Sequence, residues 1–281
     1  MSDARPVLAV EGLEVRFDTP HGIVRAVRGV SFEVGRERVG IVGESGSGKS
    51  MTGRAILRLT PRAARVEAKR LEFAGEDLAA ASAARMRAIR GRRISMILQD
   101  PRVSLNPVMR VGDQVAEAYA AQRKGSRAEA RDRALDMLAQ VRIRDPRRVY
   151  GLYPHQVSGG MGQRIMIAMM LVPEPELLIA DEPTSALDVT VRMQVLAILD
   201  DLVSRRGLAL VFISHDLNLV ATFCDRVLVM YAGRIVEECR ASELARASHP
   251  YTRGLLGSLP RLDAPRERLA VLQRDPVWLE S

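Results

Sequence analysis

VGIVGESGSGKS, residues 39–50, is the stretch that decides the fold. Its first part, Val39–Val42, is a short apolar run that stops at a glycine, which is typical of a buried central strand. Gly43 to Ser50 fits the pattern G-x-x-x-x-G-K-[ST], and we expect a helix from Lys49 to about Leu59, before Thr60-Pro61. A strand, a glycine-rich loop and a helix in this order predict a loop that binds phosphate.

The residue types of this loop suit phosphate chemistry. Glycine lets the backbone curl so that successive N–H groups point at one anion, and the following helix adds its positive N-terminal end. Lys49 is suited to reach the β- and γ-phosphates, and the Ser50 hydroxyl to ligate Mg²⁺. The residues that we predict to contact ATP here are Gly43, Ser45, Gly46, Ser47, Gly48, Lys49, Ser50 and Met51.

A pair of acids follows the apolar run Leu177–Ala180, which ends in Asp181 and Glu182. An apolar strand that ends in carboxylates is expected at the carboxyl edge of a parallel sheet, where ligands bind. Asp181 is then placed to hold Mg²⁺, and Glu182 to polarise the attacking water as a base. Buried strands often end in acids where they reach solvent, so this pattern gains its meaning from the phosphate loop upstream.

The segment VSGGMGQR, residues 157–164, predicts a second anion site in the same chain. Ser158 is a good N-cap, and Gly159 and Gly160 expose backbone N–H groups where a helix would begin. This segment resembles the signature of the ABC ATPase family, usually written LSGGQ or LSGGM. The resemblance implies that one cassette's signature closes on the ATP held by another cassette. The residues it assigns to that contact are Ser158, Gly159, Gly160, Met161 and Gln163.

Two positions depart from the family's signature. Val157 replaces the usual leucine, which should be a mild change. Gly162 stands where the family usually has a larger, often polar residue, and a glycine inside a helix costs about 0.5–1 kcal/mol against alanine. We therefore expect a looser signature helix in this chain.

Further motifs match the family in order, over roughly residues 7 to 260. The resemblance makes Gln99 the glutamine that ligates Mg²⁺ and the attacking water, and His215 the histidine that contacts the γ-phosphate. Phe17 lies where the family stacks an aromatic ring on adenine, although a core position in a strand is the alternative. The loop that crosses the dimer interface corresponds to Ser185, Ala186, Leu187 and Asp188. The implied catalytic set is Glu182, His215 and Gln99, and the implied Mg²⁺ set is Ser50, Gln99 and Asp181.

Strands that alternate with helices predict an α/β fold. The resemblance makes it a P-loop NTPase, that is, an ABC ATPase with a RecA-like core, an antiparallel β subdomain and a helical subdomain. We expect the ATPase domain at residues 1–248, the helical subdomain inserted at about 100–172, and a short extension of the peptide-importer type at 249–281. Predicted strands are Leu8–Phe17, Val24–Val34, Val66–Phe73, Ile94–Leu98 and Leu208–Ile213. Predicted helical segments are Val111–Gln140, with a second helix from Ser126, and Val191–Val203; a hairpin turns at Ala232-Gly233.

Three segments resemble one branch of the family, the ATPase subunits of dipeptide, oligopeptide and nickel importers. They are Gln99–Pro107, Tyr153–His155 and His249–Arg253. The resemblance implies a second ABC ATPase subunit as partner, a sister chain or a second copy. It also implies two permease subunits, an extracytoplasmic solute-binding protein and a peripheral position on the cytoplasmic face of the inner membrane. Peptide is the first expectation for the cargo, with nickel or another small solute as the alternative.

Composition and charge narrow the function classes. The chain has 281 residues, a formal net charge of +8 and two cysteines, Cys224 and Cys239. The longest apolar run is far shorter than the roughly 20 residues that span a bilayer, and no secretory signal is visible in the sequence. The absence of cysteines after Cys239 predicts no iron–sulfur cluster, although many members of the branch carry one. A soluble ABC protein that acts on nucleic acid, suggested by the charge, and an exporter ATPase are the competing hypotheses, and we expect no nucleic-acid partner.

Overall fold

The computed structural model describes residues 5–100, 104–123, 125–185, 187–258 and 278. Strands and helices are numbered below in chain order. The strands are β1 Leu8–Thr19, β2 Gly22–Val34, β3 Arg38–Val42, β4 Ala64–Glu67, β5 Arg70–Phe73, β6 Glu76–Asp77, β7 Ile94–Ile97, β8 Leu177–Asp181, β9 Ala209–Ser214, β10 Arg226–Tyr231 and β11 Arg234–Arg240. The helices are α1 Lys49–Ile56, α2 Ala83–Ile89, α3 Val111–Ala120, α4 Arg127–Gln140, α5 Pro146–Tyr150, α6 Gly159–Leu171, α7 Val189–Arg206, α8 Leu217–Phe223 and α9 Pro250–Ser258.

The chain divides into two compact units. The first is built from residues up to Ala80 and from Val211 onward, and the second from Ala81–Leu210. The division falls inside β9, so one strand carries the chain from the second unit back to the first. In the part of the chain that the structure describes, no helix is long and apolar enough to cross a membrane.

The first unit contains an antiparallel sheet with the order β2-β1-β5-β6, in which β4 also pairs with β1. The prediction of a single strand over Val66–Phe73 is wrong. The chain forms two strands there, because β4 pairs with the second half of β1 and β5 with the first half. The register of β1 shifts at Gly12, whose φ of 60° marks a bulge, and the N–H of Lys69 bonds the Glu11 carbonyl between the two strands.

The first unit also holds β3, which pairs in parallel with β10, while β11 pairs antiparallel to β10. The predicted hairpin is confirmed, because Ala232 and Gly233 both have positive φ, as a two-residue turn between strands requires. Helix α1 ends at Ile56, three residues before the predicted end. Arg58 takes a left-handed φ of 51° there, and the N–H of Leu59 bonds the Arg54 carbonyl, which closes the helix as a Schellman motif.

The second unit contains the parallel pair β7 and β8 with helices α3 to α6 between them in the chain. Both strands are buried along their whole length, as expected for short apolar runs. The predicted helix start at Ser126 is confirmed, since its hydroxyl accepts a hydrogen bond from the N–H of Glu129. Helix α7 is longer than predicted because Asp188 caps its start and Gly207, with φ of 57°, ends it. The boundaries predicted for the ATPase domain and its extension stay predictions.

Candidate functional site

The predicted phosphate loop connects β3 to α1 in the first unit. Gly48 stands at the N-cap of α1 with φ of 100°, and a Cβ there would lie 2.5 Å from the Ala26 carbonyl oxygen. At Gly43 a Cβ would lie 2.1 Å from the Met230 carbonyl oxygen. Only glycine fits these two positions, so the loop's curl is fixed by its contacts with β2 and β10. The loop is also tied to the hairpin by the N–H of Gly233, which donates to the Ser47 carbonyl at 2.9 Å.

Lys49 points back into this loop, although it is the first residue of α1. Its ammonium donates to the carbonyls of Gly43 at 2.8 Å and Glu44 at 2.7 Å. The residue as a whole is only 5% exposed to solvent. A buried ammonium has to be surrounded by acceptors, and here loop carbonyls supply them. The arrangement places a positive charge beside the exposed Ser45 and Gly46, where an anion can approach from solvent.

Gln99 and Glu182 come together in the second unit. Strands β7 and β8 run in parallel with Ile97 opposite Ala180, so Gln99 and Glu182 each lie two residues beyond paired positions. The Gln99 amide nitrogen donates to a Glu182 carboxylate oxygen at 3.1 Å. Asp181, the last residue of β8, is 1% exposed, whereas Glu182 is half-buried at the surface. The edge of this strand pair therefore presents one buried and one accessible carboxylate.

Glu182 adopts a backbone conformation that is unusual for its residue type. Its φ is 48°, in the left-handed region that a residue with a Cβ rarely enters. The turn that follows is closed by the hydroxyl of Ser185, which donates to the Glu182 carbonyl at 3.2 Å. This tight turn leads from the acids into the loop before α7, where the Asp188 carboxylate caps the helix by accepting from the N–H of Val191. Leu187 donates from its N–H to the Thr184 carbonyl, and Ala186 lies outside the described residues.

The signature segment forms the start of α6, as predicted. The Ser158 hydroxyl accepts a hydrogen bond from the N–H of Met161 at 3.3 Å, so the expected N-cap is confirmed. A Cβ on Gly159 would meet no described heavy atom within 4 Å, whereas one on Gly160 would lie 2.6 Å from Val191 Cγ1 of α7. Gly159 is therefore open to solvent at the helix start, and Gly160 allows α6 and α7 to pack closely.

Other members of the predicted signature set differ in exposure. Gln163 is 2% exposed, and its amide nitrogen has no hydrogen-bond partner among the described residues. Its predicted contact with a second chain's ATP stays a prediction, and it would require the side chain to turn outward. Gly162 continues the helix, since its N–H bonds the Ser158 carbonyl at 2.8 Å. This glycine also lines a cavity beside the signature.

That cavity has a volume of about 330 Å³. It lies between the start of α6 and the chain after Gln99. Its lining includes Leu105, Pro107, Pro154, His155 and Val157. The neighbouring Val108 is 82% exposed, which leaves an apolar side chain in solvent beside it.

Two of the predicted residues belong to the first unit. His215 is exposed and directly follows β9, and the next residue, Asp216, caps α8. Phe17 lies in β1 opposite Val24 and Ala64, and it is half-exposed rather than part of the buried core. This exposure favours the ligand-stacking interpretation of Phe17 over the core alternative.

Comparison with known proteins agrees with these observations. The family described as ABC transporter matches residues 27–185, more than half of the chain. A probable peptide ABC transporter ATP-binding protein, y4tR of Sinorhizobium fredii, is 51% identical over 98% of this chain and 82% of its own length. The dipeptide transport ATP-binding protein DppD of Bacillus subtilis is 48% identical over 98% and 83%, and that of Escherichia coli 47% over 95% and 82%.

Solved structures give the same result. The ATP-binding cassette MJ0796, described as a dimer in a post-hydrolysis state bound to ADP and Pi, matches with a TM-score of 0.74 and 26% identity. The match covers 83% of this chain and 98% of that cassette. The likeness confirms the predicted P-loop ABC ATPase fold. With its fold, its ordered motifs and its relatives in agreement, this chain belongs to the ABC transporter family.

Proposed function

We propose that this chain is the ATP-hydrolysing subunit of an importer that carries peptides across the cytoplasmic membrane. The proposal that the chain hydrolyses ATP rests on the hydrogen bond between Gln99 and Glu182 at the carboxyl edge of β7 and β8. An accessible carboxylate held by an amide can orient a water molecule and accept its proton. The identity of 43–51% with proteins named for peptide, dipeptide and oligopeptide transport supports the peptide part.

Each predicted residue then has a role in the reaction. Lys49 and the loop N–H groups bind the nucleotide phosphates, and Phe17 stacks on the base. Glu182 takes the proton of the attacking water, while Gln99 orients it and His215 donates to the γ-phosphate. The oxygen donors of Ser50, Asp181 and Gln99 match the preference of Mg²⁺, which supplies charge neutralisation when it is bound.

A second cassette completes the site in this proposal. The helix start at Ser158 and the exposed Gly159 forms a second anion site, in addition to this chain's own phosphate loop. Val189 and Met193 are 73% and 60% exposed, and their i, i+4 spacing puts them on one face of α7 just after Asp188. An apolar face behind the interface loop suits contact with another cassette, and the MJ0796 cassette is described as dimeric.

The permease subunits dock near the signature in this proposal. The cavity lined by Leu105 and Pro107, together with the exposed Val108, is a place for an apolar helix of a membrane partner. Residues that line it follow Gln99 in the chain, so bending at Gln99 on ATP binding would move the cavity and the docked subunit. The chain would then sit peripherally on the cytoplasmic face of the membrane.

Uptake assays identify the cargo, in a strain of the source organism from which the gene for this chain has been deleted. We expect uptake of labelled di- and oligopeptides to fall, to return with the wild-type chain, and to stay low with Glu182→Gln. Loss of ⁶³Ni²⁺ uptake with normal peptide uptake would replace peptide by nickel as the cargo. A defect in efflux with normal uptake of both would overturn the import direction.

A further inference from the structure

The phosphate loop is connected to the C-terminal part of the first unit by one side chain. The N–H of Glu44 donates a hydrogen bond to the hydroxyl oxygen of Tyr251 at 3.1 Å, across 207 residues of sequence. Tyr251 lies in α9 and is fully buried. The segment His249–Arg253, which resembles the peptide-importer branch of the family, therefore contacts the nucleotide-binding loop directly.

Glu44 is held at both of its backbone polar groups. Its N–H is bound by Tyr251, and its carbonyl accepts from the Lys49 ammonium at 2.7 Å and from the N–H of Ser47 at 3.2 Å. The peptide groups on either side of Glu44 are thus oriented by two different anchors. The Glu44 N–H is not one of the groups predicted to bind phosphate, so Tyr251 does not compete with the nucleotide.

Tyr251 is itself fixed by its surroundings. Its ring packs on Tyr231, the last residue of β10, with 4.5 Å between ring centroids, and Trp278 packs edge-on at 6.0 Å. The N–H of Tyr251 donates to His249 Nδ1 at 3.1 Å. The Glu237 carboxylate accepts from the N–H groups of Ser248 and His249, which anchors the start of α9 to β11. The packed aromatic cluster therefore fixes the orientation of the Tyr251 ring and of its hydroxyl.

We propose that Tyr251 is a positioning residue that pre-orders the phosphate loop for ATP. This inference rests on the proposed ATPase function. A loop with several positive-φ glycines has many conformations to lose when it closes around an anion. A hydrogen bond that holds Glu44 beforehand reduces that loss and so raises affinity for the nucleotide. Tyr251 acts through Glu44 and does not touch the reacting atoms.

The test is the substitution Tyr251→Phe, which removes the hydroxyl and keeps the ring packing. We expect the Kd for ATP to rise about three- to tenfold, the range that follows from losing one backbone hydrogen bond. The KM for ATP should rise with it, while kcat at saturating ATP stays within about twofold. Tyr231→Phe is the matched control, since it removes a hydroxyl from the neighbouring ring and should leave the Kd unchanged. An unchanged Kd in Tyr251→Phe, or an equal rise in the control, would overturn the proposal.

A second measurement separates positioning from folding. Emission of Trp278, the chain's one tryptophan, and the thermal melting temperature report whether the aromatic cluster is intact in Tyr251→Phe. Hydrogen exchange of the Glu44 amide should be slow in the wild type and at least about tenfold faster in the variant. Equal exchange in both proteins refutes the contact. This measurement needs no nucleotide. A wild-type chain that failed to bind ATP would overturn the proposed function, while exchange would still show whether Tyr251 orders the loop.

Discussion

Replacing Gly160 by alanine tests the close packing of the signature helix on α7. A Cβ at this position would lie 2.6 Å from Val191 Cγ1, inside the distance that real Cβ atoms keep. Overpacking of this kind costs about 1–3 kcal/mol, and the helix preference of alanine over glycine returns at most about 1 kcal/mol. With the full return subtracted, we therefore expect Gly160→Ala to lower the free energy of unfolding by up to about 2 kcal/mol, and the melting temperature by a few degrees.

The neighbouring glycine is a control of opposite sign. A Cβ at Gly159 would meet no described atom within 4 Å, so Gly159→Ala should be neutral or stabilise by up to about 1 kcal/mol. In a Val191→Ala background the clashing Cγ1 is gone, so adding Gly160→Ala should no longer destabilise. The assay is urea unfolding of all four variants, read as a double-mutant cycle. If Gly160→Ala is as stable as Gly159→Ala, or if Val191→Ala gives no relief, the packing argument is wrong.

Three further predictions concern single groups. Glu182→Gln should keep ATP affinity and lower the rate of phosphate release at least about 100-fold, because the base is removed and the shape is kept; near-normal release would exclude Glu182 as the base. Burial, with the hydrogen bond to Asp113, raises the pKa of Tyr150 to about 12, so this bond stabilises the fold below pH 10 and the stabilisation is lost as the pH rises through 12. The free energies of unfolding of the wild type and of Tyr150→Phe, measured from pH 8 to 12, should differ less above pH 10. A difference that grows with pH would refute this prediction. Burial raises the pKa of both thiols, that of Cys224 to about 12, and Cys224 is buried whereas Cys239 is half-exposed. A thiol reagent at pH 8 should therefore label Cys239 first, and Cys239→Ser should remove that faster phase.

Local sequence patterns predicted the elements whose causes are local. The cap at Ser158 and the helix start at Ser126 depend on hydrogen bonds across three residues, and both are confirmed. The turn at Ala232-Gly233 needs only two positive φ values, and it is confirmed as well. Buried strands such as β7 and β8 follow from short apolar runs between glycine-rich or acidic ends.

What the sequence did not predict depends on contacts between distant residues. The split of Val66–Phe73 into two strands follows from a bulge at Gly12, in another strand, which no periodicity within the segment reveals. The end of α1 depends on Arg58, a residue type that gives no sign of a left-handed φ. The hydroxyl of Tyr251 reaches Glu44 across 207 residues, and only the folded chain brings them together. Spacing arguments detect neighbours along an element, and these features need the tertiary structure.

The conformation of Glu182 links the fold to the proposed chemistry. A left-handed φ costs a residue with a Cβ about 1–2 kcal/mol relative to its ordinary conformations, and glycine would avoid that penalty. The carboxylate that glycine lacks is the group that Gln99 binds at 3.1 Å. A strained backbone is therefore retained where a specific side chain is needed at the strand edge. Strain of this kind is maintained only when surrounding contacts hold it, and here the Ser185 hydroxyl binds the Glu182 carbonyl directly. The turn that strains Glu182 thus also holds its carboxylate at the edge where Gln99 can reach it.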